Sequence, residues 1–238
     1  MKILVIAAHP DDEVLGMGGT LKKLSAQKHK IKVVFLATGI FARRSAEYKN
    51  STRYQLDKNL EKKMKNQVSR LRNDAKNALK ILGIKNIEFF EFPDNELDKI
   101  SNLEITKTIE EIIRKFKPEI VYTHTKKDIN VDHRAIFNAT ITATRPDKKS
   151  NVKKVICFEV PSSSEWYFAE AFKPNIFVDI KKEFQYKIKA IKMYKGEIRK
   201  FPHPRSVDAL DAIAKRWGSV SGFEAAEAFE LIRELQKS

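Results

Sequence analysis

Six consecutive apolar residues, Ile3–Ala8, run directly into His9-Pro10-Asp11-Asp12-Glu13 and then into Gly16-Met17-Gly18-Gly19. A short apolar run ended by a histidine and a proline has the length and composition of a fully buried strand. Strands buried on both faces belong to parallel sheets covered by helices, and ligands bind there at the strands' carboxyl ends. Three adjacent carboxylates are costly in such a place, because like charges repel and burial disfavours each of them. A bound divalent cation offsets that cost. The opening of the chain therefore predicts a metal-dependent enzyme on an α/β scaffold.

The rest of the chain continues the alternation. Strands are expected at Lys2–Ala8, Ile31–Ala37, Asn86–Phe90, Glu119–Thr123 and Val155–Phe158, with a short peripheral one at Ile176–Asp179. Helices are expected at Val14–Gln27, Gln67–Leu82 (closed by Gly83), Leu103–Phe116 (stopped by Pro118) and Val131–Thr144, then at Lys182–Tyr194, Val207–Trp217 and Glu224–Gln236. Strand–helix–strand order means a mostly parallel central sheet with helices on both faces. The segment from Thr38 to about Asn66 is polar without a period and reads as a long loop over the edge that carries His9. With no repeat, linker or break in composition, residues 1–238 read as a single domain.

Composition narrows the chemistry. The single cysteine, Cys157, excludes an intramolecular disulfide and a multi-thiolate metal site, so histidine and carboxylate must hold any metal. No apolar stretch approaches the ~20 residues of a membrane span, and the N-terminal run lacks a signal-peptide cleavage site. A cytoplasmic protein without a membrane partner is the expectation. Lys+Arg number 46 against 31 Asp+Glu, a formal charge of +15. Lysines such as Lys58, Lys62, Lys63, Lys65, Lys181, Lys182, Lys187 and Lys189 read as solvated decoration, and no nucleic-acid partner is expected. Attraction of an anionic small-molecule substrate is the functional alternative.

A second polar island, Thr123-His124-Thr125-Lys126-Lys127-Asp128-Ile129-Asn130-Val131-Asp132-His133-Arg134, follows the fourth strand and enters a helix. Both islands lie at carboxyl ends of parallel strands, where one crevice can unite them. The A-H-P-D-D-E motif after an N-terminal strand, followed by D-x-N-x-D-H-R, resembles the LmbE/PIG-L family of zinc-dependent N-deacetylases, which have a Rossmann-like fold and act on N-acetylated amino sugars. Pro202-His203-Pro204-Arg205-Ser206 and Ala225-Ala226-Glu227-Ala228-Phe229 are similar to a subgroup of that family.

The resemblance implies His9, Asp12 and His133 as ligands of one Zn2+ per chain, with Asp11 as general base. A site of two histidines and one carboxylate also suits Fe2+. Adjacent side chains on an extended turn diverge, so Asp12 can face a metal while Asp11 faces a water. Many family members carry a histidine where this chain has Asn130. Asn130 then donates a neutral hydrogen bond to the oxyanion, or His203 or His124 supplies the charge. Asp132 is expected to orient a ligand, and Glu13 to do the same or to complement the helix dipole.

The substrate implied is an N-acetyl sugar or nucleotide sugar, with homo-oligomerisation open. Contacts to it are expected from Arg43, Arg44, Arg72, Trp166 and Arg205, with Ser162-Ser163-Ser164-Glu165 beside Trp166. Trp166 is equally readable as a hydrophobic anchor, His124 as a buried structural histidine, and Arg205 as the partner of a surface acid. The glycines after Glu13 do not fit G-x-G-x-x-G and are expected to permit close helix packing. The competing function is a basic nucleotide- or nucleic-acid-binding module without metal chemistry.

Overall fold

The computed structural model describes residues 1–40, 58–147 and 150–236. Its centre is β1 (Lys2–Ala7), whose unbroken apolar run has a simple cause. Ile3, Val5 and Ala7 point into one core while Leu4, Ile6 and Ala8 point into another, and all six are fully buried. A strand covered on both faces has no position left for a polar residue.

β1 pairs in parallel with β2 (Lys30–Ala37) on one side and with β4 (Ile120–His124) on the other. β3 (Asn86–Phe92) extends the sheet beyond β2, and β5 (Lys154–Phe158) extends it beyond β4. The full order is β3-β2-β1-β4-β5-β7-β6. The chain thus leaves β1 in one direction and β4 in the other, which opens a crevice at their carboxyl ends. The helices are α1 (Asp12–Ala26), α2 (Lys58–Leu82), α3 (Asn102–Phe116), α4 (Val131–Ala143), α5 (Phe184–Ile191) and α6 (Val207–Ser221). The expected α/β class with a mostly parallel sheet is the architecture found.

Three expectations are corrected. Glu224–Gln236 is not a helix: Ala226–Glu234 forms β7, antiparallel to both β5 and β6 (Ile176–Asp179). Its Ala, Glu and Leu favour a helix locally, but a vacant place between two strands and burial of Ala226, Ala228 and Phe229 override that preference. The polar segment before Asn66 is not loop throughout, since α2 starts at Lys58; residues 41–57 lie outside the described part. Lys187 is not solvated. Its ammonium is buried and donates to Leu15 O at 2.8 Å and to Glu227 Oε1 at 2.7 Å.

The expected glycine packing is present. A Cβ on Gly16 would lie 2.5 Å from the Phe158 ring and 2.8 Å from Glu159 O, so α1 sits on β5 closer than any side chain permits. That approach draws the first turn of α1, with Asp12 and Glu13, over the crevice.

Candidate metal centre

β1 ends at Ala7 and the chain turns sharply into α1, with Asp12 N donating to His9 O at 3.3 Å. The turn is closed by a side chain as well: His9 N donates to Asp12 Oδ2 at 2.8 Å. Asp11 stands at the N-cap position with φ 128°, a conformation unfavourable for a residue bearing a Cβ. Its carboxylate does not cap the helix. It accepts from Arg205 Nη1 at 2.7 Å instead.

The second wall comes from the β4–α4 connection. Asn130 caps α4, its side-chain oxygen accepting from Asp132 N at 2.8 Å, and the first helical turn then delivers Asp132 and His133 inward. His133 Nε2 stands 3.3 Å from Asp12 Oδ2, and its Nδ1 is 3.0 Å from Asp128 Oδ2. Asp128 is anchored by the hydroxyls of Ser163 and Ser164 and by Asn130 N. His9 Nδ1 is 3.4 Å from Asp12 Oδ2, while its Nε2 is 2.9 Å from Asp132 Oδ2 and 3.0 Å from Asp94 Oδ1. Each imidazole therefore turns one nitrogen toward Asp12 and the other toward supporting carboxylate.

That constellation suits a divalent cation. Ligand atoms of His9, Asp12 and His133 all lie within 4.8 Å of one another. Asp12 Oδ1 and His133 Nε2 are buried without a hydrogen-bond partner, a costly arrangement unless something else binds them. Although burial opposes it, His133 is raised to about 9 by Asp12 and Asp128, and His9 is raised by its bonds to Asp12, Asp132 and Asp94. Asp12, despite burial, is held low by the two imidazoles. Once deprotonated, two imidazole nitrogens and one ionised carboxylate form a donor set that suits a divalent cation. A second grouping of His9, Asp94 and Asp132 is equally compact, but there the two carboxylates bracket the far nitrogen of a histidine already turned to Asp12.

The structure distributes the remaining candidates widely. Glu13 is fully buried, accepting from Asp11 N at 3.0 Å and from Tyr194 OH at 2.5 Å, and burial pushes its carboxyl up to about 8. His124 accepts from Ala8 N at 2.8 Å and stacks on His133 at 3.9 Å; burial lowers it well below the usual histidine value, so it packs as a neutral ring. His203 and Trp166 meet edge to face at 5.8 Å, and the Trp166 indole is partly exposed. Arg205 partners buried Asp11 and Glu197 rather than a surface acid. Arg72 bonds Glu91 and Phe90 O on β3. Arg43 and Arg44 lie outside the described residues.

Four contributors escaped the sequence reading: Asp94, Asp128, Tyr194 and Glu197. Asp128 had a signal, standing inside the second island five residues before His133. The others carry none, since each reaches the site through folding alone.

Residues 4–144 match the family described as PIG-L, GlcNAc-PI de-N-acetylase. The diacetylchitobiose deacetylase of Thermococcus kodakarensis is 27% identical over 237 residues, covering 97% of this chain and 83% of that protein. An Escherichia coli protein described as an uncharacterized deacetylase is 30% identical over 200 residues, covering 82% of this chain and 90% of its own length. Among solved structures, N,N′-diacetylchitobiose deacetylase from Pyrococcus horikoshii superposes with a TM-score of 0.71 at 23% identity, covering 98% of this chain and 84% of that one.

Proposed function

The chain belongs to the PIG-L family of deacetylases, and from that premise we propose that it is a metal-dependent hydrolase removing the acetyl group of an N-acetylated amino sugar. The observation that carries this reading is the convergence of His9, Asp12 and His133 around unpartnered ligand atoms, with the carboxylate of Asp11 beside them.

His9, Asp12 and His133 would hold the ion, taken as zinc. When bound, it supplies the Lewis acidity that makes water acidic near neutral pH and draws charge toward an amide oxygen. The protein's own residues do the rest. Asp11 is pushed up to about 7 by burial, against the pull of Arg205, which suits a group that must both take and return a proton. Arg205 occupies Asp11 Oδ2, leaving Oδ1 to accept a proton from water as its oxygen joins the acetyl carbon. The same Oδ1 then returns that proton to the amine nitrogen as the carbon–nitrogen bond breaks, releasing acetate and the free amine. Asn130, whose oxygen is committed to the helix cap, has only its amide NH2 to offer a developing oxyanion. His203 and Trp166, in edge-to-face contact with each other, would offer a sugar ring an imidazole and an apolar indole face.

Acetate release from a panel of free, disaccharide, and UDP- or CMP-linked N-acetyl sugars tests the reading. The zinc-loaded protein is expected to cleave at least one member. Asp11→Asn should keep the metal and lose ~10²–10⁴-fold in kcat; His9→Ala and Asp12→Ala should lose the metal. Silence across the panel, or full turnover in Asp11→Asn, would overturn it.

A further inference from the structure

Two turns, at Asp11 after β1 and at Ser162 after β5, each hold a non-glycine residue at positive φ, 128° and 74°. L-residues rarely stay in that region unless surrounding contacts compel them. One side chain reaches both. Arg205 donates from Nε to Ser162 Oγ at 2.7 Å and from Nη1 to Asp11 Oδ2 at 2.7 Å, and Nη1 also lies 3.1 Å from Glu197 Oε2. The backbone of Asp11 is gripped from the same quarter of the chain: its N–H donates to Glu13, whose other oxygen accepts from Tyr194 OH. Residues 194–205 thus hold Asp11 by its amide, through Glu13, and by its carboxylate. This segment lies beyond the residues that match the family, which end at 144.

We propose that Arg205 is a positioning residue for Asp11: its planar guanidinium fastens the Asp11 turn to the Ser162 turn, so that Asp11 Oδ1 alone faces the reacting water. This replaces the sequence-based expectation that Arg205 binds an anionic group of the substrate. With Asp11, Glu197 and Ser162 already in its fork, the guanidinium is neutralised and bonded within the protein. The fork matters more than the charge. A lysine ammonium is a compact point charge and cannot span two partners in the fixed geometry that a guanidinium offers.

The kinetic test rests on the deacetylase reading above and uses the zinc-loaded full chain, with N,N′-diacetylchitobiose and the best substrate of the panel as probes. Arg205→Ala should lower kcat on the order of 10²-fold, the cost of a misplaced catalytic group, with KM and bound zinc unchanged. Millimolar guanidinium should restore part of the lost kcat. Arg205→Lys should remain close to Arg205→Ala, and it carries the comparison if the alanine variant fails to fold. A rise in KM with kcat unchanged would make Arg205 a substrate contact and overturn the proposal. So would native kcat in Arg205→Lys. If the native protein cleaves none of the probes, the deacetylase reading fails separately, and the thermal midpoints of Arg205→Ala, Asp11→Asn and the double variant decide. Non-additive shifts uphold the clasp; additive shifts overturn it.

Discussion

Asp11 and Asp12 are adjacent carboxylates, both buried, and their acidities move in opposite directions. Burial raises Asp11 to about 7, whereas two imidazoles hold Asp12 low. Environment, not residue type, separates proton carrier from ligand. The motif told which residues belong to the site; it could not tell that Asp11 leans on an arginine 194 positions away. A second buried carboxyl has a measurable signature. Glu159 accepts from Trp217 Nε1 at 2.6 Å, and burial raises it to about 7 from an ordinary 4.5. The folded state keeps a proton that the unfolded chain releases, so stability from this group is complete below pH 4.5 and lost as pH rises to about 7. The expected slope is about 1.4 kcal/mol per pH unit at most. Glu159→Gln, which keeps an acceptor for the indole, should lessen the slope of that part of a urea-denaturation pH series followed by tryptophan fluorescence, the remainder coming from Asp11 and Glu13. An unchanged slope would show that Glu159 ionises freely in the folded protein.

Among the elements, α1 is a helix that departs from regular geometry in its interior. It breaks at Met17, where φ is −147° and ψ 25°, between Gly16 and the pair Gly18-Gly19. The break releases backbone groups that a continuous helix would satisfy internally, and a buried ion pair takes them up. Lys187 from α5 donates to Leu15 O, while Glu227 from β7 accepts from Gly19 N at 3.0 Å and Thr20 N at 2.7 Å. The same contact explains why residues 226–234 form a strand: a helix there could not bring Glu227 to α1 while filling the gap between β5 and β6. Apart from the start of α2, periodicity revealed the other long helices and strands to within a few residues, because their apolar patterns follow their own faces. It missed β7, whose pattern answers to partners distant in sequence. Lys187→Met should destabilise the fold by ~3–5 kcal/mol, since it strands a buried carboxylate. Lys187→Met with Glu227→Gln should recover part of that loss, since the amide keeps one acceptor without the charge. Chemical denaturation of the three proteins checks this; equal losses in single and double variants would remove the ion pair from the account.

At the scale of the whole molecule, the sheet order makes the site. The switch between β1 and β4 brings His9 and His133 to ring centroids 5.6 Å apart. A cation bound there would tie two connections that no covalent link joins. Zinc should therefore raise the thermal midpoint of the native protein, by an amount equivalent to ~2.7 kcal/mol at a free concentration one hundred times Kd. Because His133 is raised to about 9 and His9 is also raised, loading at pH 7 should release protons, one of them from His133, readable with a pH indicator in weak buffer. Neither effect should appear in His133→Ala. Proton release without a rise in midpoint would place the binding elsewhere. Several lysines pair with acids, as in Lys32–Glu88, Lys154–Glu234 and Lys215–Asp211, while the formal net charge stays at +15. No helix among the described residues is long and apolar enough to cross a membrane.

The amino-acid sequence by itself determined the parallel α/β class, the two polar islands and the residue types able to hold a cation. Those properties are written in short windows, as apolar periods and strand-end motifs. Only the tertiary structure decided that Asp94 and Asp132 share one imidazole nitrogen, that Arg205 grips Asp11, and that the last strand enters the sheet against its own helical preference. Each of these is a contact between segments far apart in the chain, and its energy comes from burying and pairing charge. No local pattern records it.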